Sequence, residues 1–125
     1  MTQTTVTDEA LRATEDYLKG YALCEKMLKL DKYERTYFAY DERTSEYNSN
    51  DCALLRAKMF EIRHFIMSMK NSDEKLLLYY HYVRGETVER CAELLGIARS
   101  SGFRLKKKAI ALAAKALENK GLADS

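Results

Sequence analysis

From Asp8 onward the apolar residues recur at helical spacing. Leu11, Leu18, Tyr21 and Leu28 follow one another at intervals of seven, three and seven, which places them on one face of a helix predicted from about Asp8 to Leu30. Ala10, Ala13, Tyr17 and Cys24 widen that face, Thr7 is placed to cap the helix, and Asp8 and Glu9 complement its positive end. The segment Lys32 to Tyr40 carries Tyr33, Tyr37, Phe38 and Tyr40 and fits a short helix or an aromatic-rich connection equally well. Asp41 to Asn50 is the most polar stretch, and its turn formers Asn48, Ser49 and Asn50 predict a loop. The next helix is then expected to begin near Asp51. Cys52, Leu55, Met59, Ile62, Ile66 and Met69 repeat at intervals of three and four, a seam suited to packing along the first helix or along a second copy of itself; core packing within the chain is the preferred reading.

Lys70-Asn71-Ser72 interrupts that pattern, and Ser72, Asp73 and Glu74 open another helix. Leu76, Leu77, Leu78, Tyr79, Tyr80, Tyr82 and Val83 make it apolar nearly all round, as a short central helix should be, and Gly85 is placed to end it in a left-handed conformation. Thr87 then caps a helix whose inner face is Val88, Cys91, Ala92 and Leu95. Two helices crossing at a tight turn need a small residue at their contact and a residue tolerant of positive φ at the turn. Ala92 and Gly96 supply these, Ile97 plugs the corner, and Leu105 packs the second helix onto the first. No alternating segment predicts a hairpin, so the expected fold is all-α, of five or six helices: an N-terminal helical region over residues 1–71 for packing or dimerisation, and a helix-turn-helix region over 72–125.

Composition adds little until it is divided along the chain. The 125 residues are 46% hydrophobic and 32% charged with no proline, and the net charge is +2. From Ile97 to Ser125 there are seven basic residues against two acidic ones, a net of +5; Met1 to Gly96 holds 14 basic and 17 acidic, a net of −3. An anionic partner is therefore to be sought at the C-terminal end. Neither a signal sequence nor an apolar stretch of membrane-spanning length is evident, so a cytoplasmic protein without a membrane partner is expected, and Cys24, Cys52 and Cys91, too scattered for a metal knuckle, are expected to be reduced thiols.

The segment Lys75 to Ile110 resembles the helix-turn-helix of sigma-factor region four, as found in phage-encoded transcription regulators of the ArpU and RinA type. The matching residues are Leu77, Tyr80 and Gly85, then Glu89, Ala92, Leu95, Gly96, Ile97, Arg99, Ser100, Arg104, Leu105 and Lys106-Lys107-Lys108. Two positions depart from the pattern: Ala98 stands where such motifs usually carry a capping serine, and Gly102 where a β-branched residue normally fills the helix interface. The packing there is accordingly expected to be tight and the second helix intrinsically weaker by about 1 kcal/mol.

At about 100° per residue, a helix from Arg99 puts Gly102, Leu105, Ala109 and Leu112 on one side, and Ser100, Phe103, Arg104, Lys107 and Lys108 on the other, with Arg99 and Lys106 on the flanks. A recognition helix presents such a face to the major groove. Arg99, Ser100, Ser101 and Arg104, near its N-terminus, are the candidates for base edges; Thr87, Lys106, Lys107 and Lys108 are the candidates for phosphates. Phe103 is expected to pack against the N-terminal helices rather than stay exposed, a contact to a thymine methyl being the alternative.

The resemblance implies a sequence-specific double-stranded DNA-binding regulator of transcription, serving late or packaging genes of a phage or prophage. One short motif reads few base pairs, so a homodimer on two half-sites is expected, formed through the seam Cys52 to Met69 or the first helix. A small-terminase-like DNA-packaging subunit and a sigma-like module contacting RNA polymerase are the alternatives. No convergent nucleophile, base or metal set is visible, and His64 and His81 fit core or rim positions, so neither catalysis nor a metal or other cofactor is expected.

Overall fold

The structure, a computed structural model, describes residues 6–37 and 42–120, and among them every regular element is a helix. The first, α1, spans Asp8–Tyr37. Thr7 caps it as expected: its hydroxyl accepts from the Ala10 amide at 3.1 Å, and its carbonyl from Leu11 at 3.0 Å. The helix does not stop at Leu30. It takes in the first part of the undecided segment, because Lys32 and Glu34 are good helix formers and neither glycine nor proline stands between Tyr21 and Tyr37. Residues 38–40 of that segment, and Asp41 after it, lie outside the described residues.

The expected loop over Asp41 to Asn50 is corrected by α2, which spans Glu42–Met67 and so begins nine residues before Asp51. The turn formers Asn48, Ser49 and Asn50 each cost only a fraction of a kcal/mol in a helix, and with no glycine or proline among them they do not halt one. The seam is internal. Cys52, Ile62, Ile66 and Met69 are buried, Leu55 and Met59 half-buried, and α2 makes its most extensive contact with α1. Gly20 lets the two helices approach, since a Cβ there would stand 3.3 Å from Ile62 Cδ1. The Tyr17 and Phe65 rings meet edge to face at 5.8 Å, the Tyr17 hydroxyl donates to Glu61 at 2.7 Å, and Cys52 Sγ donates to Asp31 at 3.3 Å.

Helix α3, Ser72–Leu78, starts where the sequence predicts and runs on into a π-helical turn, Tyr79–Val83, that no periodicity announced. The Arg84 amide bonds back to Tyr79, and the chain then leaves through Gly85 at φ +74°, the left-handed exit expected of it. His81 sits half-buried beside that exit with Nδ1 donating to the Glu86 carbonyl at 2.7 Å; a carbonyl only accepts, so Nδ1 carries the proton.

Helix α4 spans Val88–Leu95, and α5 spans Arg99–Lys120. Thr87 accepts from the Arg90 amide at 3.1 Å. At the other end Gly96 adopts φ +69°, its amide bonds to Glu93 and the Ile97 amide to Ala92, so the last carbonyls of α4 are satisfied within the turn. Val88, Cys91 and Ala92 are buried and Leu95 half-buried, as the spacing predicts.

One core joins all of this. Leu18 and Tyr21 from α1, Ile62, Phe65 and Ile66 from α2, Leu77 and Leu78 from α3, Tyr82, Cys91, and Ala109, Ile110, Ala113 and Leu117 from α5 form a single cluster. Each large aliphatic member contributes roughly 1.5–3 kcal/mol. The buried strip of α5 is wider than the face predicted for it: Gly102 and Ala109 are buried, Leu105 and Leu112 half-buried, and Ile110, Ala113, Ala114 and Leu117 are added. The helix is wedged among α1, α3 and α4 rather than laid on one of them.

Candidate nucleic-acid interface

The turn after α4 fixes where α5 begins. The Ala98 carbonyl accepts from the Gly102 amide at 2.9 Å and supplies the first helical bond although the residue has no capping side chain. Gly102 then meets α4 so closely that a Cβ on it would lie 2.9 Å from Ala92 Cβ and 3.5 Å from Val88 Cγ1. With this side against α4, the opposite side of the first turns faces outward, and it carries Ser100, Phe103, Arg104, Lys107 and Lys108, all exposed.

The positive groups are not equally available. Among the described residues, Arg104 and Lys107 make no ion pair. Arg99 is exposed but tied back to Glu89 of α4 at 3.0 Å, with its guanidinium 6.0 Å from the centre of the Phe103 ring. Lys106 leans toward α1 and pairs with Glu15 at 3.4 Å, and Lys108 reaches Glu74 of α3 at 3.3 Å. Ser101 is half-buried, and Thr87, exposed, is occupied as the cap of α4. Of the motif core, Val88 and Ala92 are buried, Leu95, Ile97 and Leu105 half-buried, and Gly96 exposed at its turn.

Glu15 is a junction. The same oxygen that faces Lys106 accepts from the Tyr82 hydroxyl at 3.0 Å, so one carboxylate links α1, the π turn and α5. Partial burial pushes its pKa up, but the Tyr82 hydrogen bond and the charges of Lys106 and Lys19 outweigh this and hold it below the ordinary glutamate value. Burial, then the Glu15 charge and hydrogen bond, pushes the Tyr82 hydroxyl up. Glu74, almost fully buried, has its carboxylate in reach of Lys108, whose own side chain stays largely in water.

Sequence reasoning did not single out Glu15, Glu74 or Glu89 as partners of the basic helix. The first two lie 91 and 34 positions from the lysines they meet, and only the position of Glu15 between Leu11 and Leu18 on the apolar flank of α1 hinted that it faces inward. Phe103 corrects the expectation that it packs on the N-terminal helices: it is 45% exposed. The inward directions at this level of α5 are taken by Gly102 and Leu105, and the outward ring is left to line a shallow hollow with Glu15, Arg104, Lys106, Lys107 and Ile110.

Among the described residues no group of three His, Cys, Asp or Glu side chains could hold a metal ion, and no helix is long and apolar enough to cross a membrane. Cys24, Cys52 and Cys91 are buried and not joined in disulfides; burial, then the Glu86 charge, pushes the Cys91 thiol up. A hollow of about 530 Å³ between α1 and α2 is lined by both signs of charge, Glu25 and Asp31 with Lys29, Lys32 and Arg56, and belongs to the helix pair rather than to the basic face. No protein-family model, no curated protein and no solved structure matches the chain.

Proposed function

We propose that the chain binds double-stranded DNA in a sequence-dependent manner and regulates transcription, with α4, the Gly96 turn and α5 acting as a helix-turn-helix of the sigma region-four kind. The observation that carries this reading is the outward face of α5. Ser100, Phe103, Arg104 and Lys107 stand together on the first three turns of a helix whose other side is locked against α4, and two of the four are cations without an intramolecular partner among the described residues. A helix of this kind fits the width of the major groove, and its N-terminal turns reach deepest. Arg104 and Ser100 are assigned to base edges and Lys107 to a phosphate. Arg99 is assigned to a base edge with Glu89 fixing its direction, and Lys106 and Lys108 serve first as struts that set the tilt of α5. The ArpU and RinA resemblance implies that the regulated genes are those of a phage or prophage.

The test is binding of the intact protein to duplexes selected from a randomised pool. Enrichment of a defined site, with affinity falling linearly in log[salt], is expected. Failure to enrich any site, or an affinity unchanged between low and high salt, overturns the reading and favours a protein partner for the basic helix.

A further inference from the structure

We infer that Phe103 reads the 5-methyl group of a thymine in the major groove, next to the base pair read by Arg104; the inference rests on the DNA reading above. Phe103 is the one exposed large apolar side chain of α5 among the described residues. It stands at the edge of the buried strip of the helix, with Ile110 buried two turns further along the same side, yet it is itself left exposed beside Arg104 and Lys107. One anchored cation stands over it. The Arg99 guanidinium stands over the ring at 6.0 Å and is itself anchored to Glu89 at 3.0 Å, and the hollow that the ring shares with Glu15 and Ile110 lies against α1. The side left open faces the same way as Ser100, Arg104 and Lys107.

A phosphate backbone offers nothing to such a ring. The one apolar group that protrudes from base edges into the major groove is the C5-methyl of thymine. Arg104 is the next residue, about 1.5 Å further along the helix axis and 100° around it, so the two side chains reach neighbouring base pairs. If Arg104 takes its best partner, the two acceptors of guanine, the preferred site carries a thymine beside a guanine.

Deoxyuridine differs from thymidine only by that methyl. In a duplex selected by the intact protein, thymines are replaced one at a time, and one position is expected to weaken wild-type binding about fourfold, the equivalent of roughly 0.8 kcal/mol for one buried methyl-sized group. In Phe103→Ala, and in Phe103→Gln, which keeps the length of the side chain without its apolar tip, thymine and uracil at that position bind equally. Both variants change an exposed residue and are checked for helix content by circular dichroism. A selected site that is indifferent to uracil at every position overturns the inference and leaves DNA binding intact, as does a methyl effect that survives in both variants. Absence of duplex binding by the wild type defeats the underlying reading, and the inference with it.

Discussion

Gly102 of α5 and Ala92 of α4 stand so close that a Cβ on the glycine would lie 2.9 Å from the Cβ of the alanine. Real Cβ atoms do not approach that far, so any side chain at 102 must push the helices apart. Two effects compete in Gly102→Ala: a gain of about 1 kcal/mol in helix propensity, and an overpacking cost of roughly 1–3 kcal/mol. The contact atom is a backbone-proximal Cβ with nowhere to rotate, so the second wins. Gly102→Ala is expected to lower the thermal midpoint slightly and Gly102→Val by several degrees, measured by calorimetry. A stabilised Gly102→Val would show that α4 and α5 are free to separate.

Gly96 makes a related prediction of different origin. Nothing lies within 4 Å of a Cβ added there, but φ is +69°. Gly96→Ala is expected to cost about 1 kcal/mol in denaturant unfolding, through backbone conformation and not through crowding. Gly96→Asn, which tolerates the left-handed region, should recover part of it.

Arg104 and Lys107 are both exposed and unpaired among the described residues, yet the proposed roles separate them. Arg104→Ala should weaken binding to the selected site more than to random duplex. Lys107→Ala should weaken both alike and reduce the salt slope by about one. Identical behaviour of the two variants would collapse the distinction between base reading and backbone contact.

The struts give the opposite sign. Glu15→Gln and Glu74→Gln remove the intramolecular partners of Lys106 and Lys108. If the freed lysines then reach phosphates, the salt slope steepens by up to about 0.9 for each. An unchanged slope in both variants would confine those lysines to bracing.

Tyr17 and Tyr82 test the interior through pH. Burial, then the hydrogen bond and charge of Glu61, holds the Tyr17 hydroxyl above the ordinary tyrosine value, as burial and Glu15 do for Tyr82. A folded pKa above the unfolded one contributes stability that is fully present below about pH 10 and is lost as the pH rises beyond it. Of the nine tyrosines, these two are expected to ionise above the ordinary tyrosine value, together with unfolding, in a spectrophotometric titration. Tyr82→Phe should flatten the alkaline limb of stability. Titration of all nine at the ordinary value in the folded protein would contradict the buried geometry.

The sequence was most legible where one local rule decided the outcome. Thr7 and Thr87 cap helices, Gly85 and Gly96 take positive φ, and the three-four spacing from Cys52 to Met69 marks a buried seam. It was least legible where a weak local preference met a long helix: Asn48, Ser49 and Asn50 are turn formers by propensity and helical by continuity. The π turn at Tyr79–Val83 falls in a stretch apolar all round, where no periodicity exists to be broken. At the basic face, helix geometry gave the exposed sides of Arg104 and Lys107. The fate of Lys106 and Lys108 depended on carboxylates brought in by tertiary packing, which spacing along α5 does not encode.

The core that runs from Leu18 through Ile66 and Leu77 to Leu117 pays no attention to the boundary at residue 71. A fragment beginning at Ser72 would lose α1 and α2 and expose the surfaces of Leu77, Leu78, Ile110 and Leu117, so the basic helix is not a cassette that can be cut out and transplanted. Any redesign of the proposed reading face must be made on its outer turns, with the whole chain carried along as the frame.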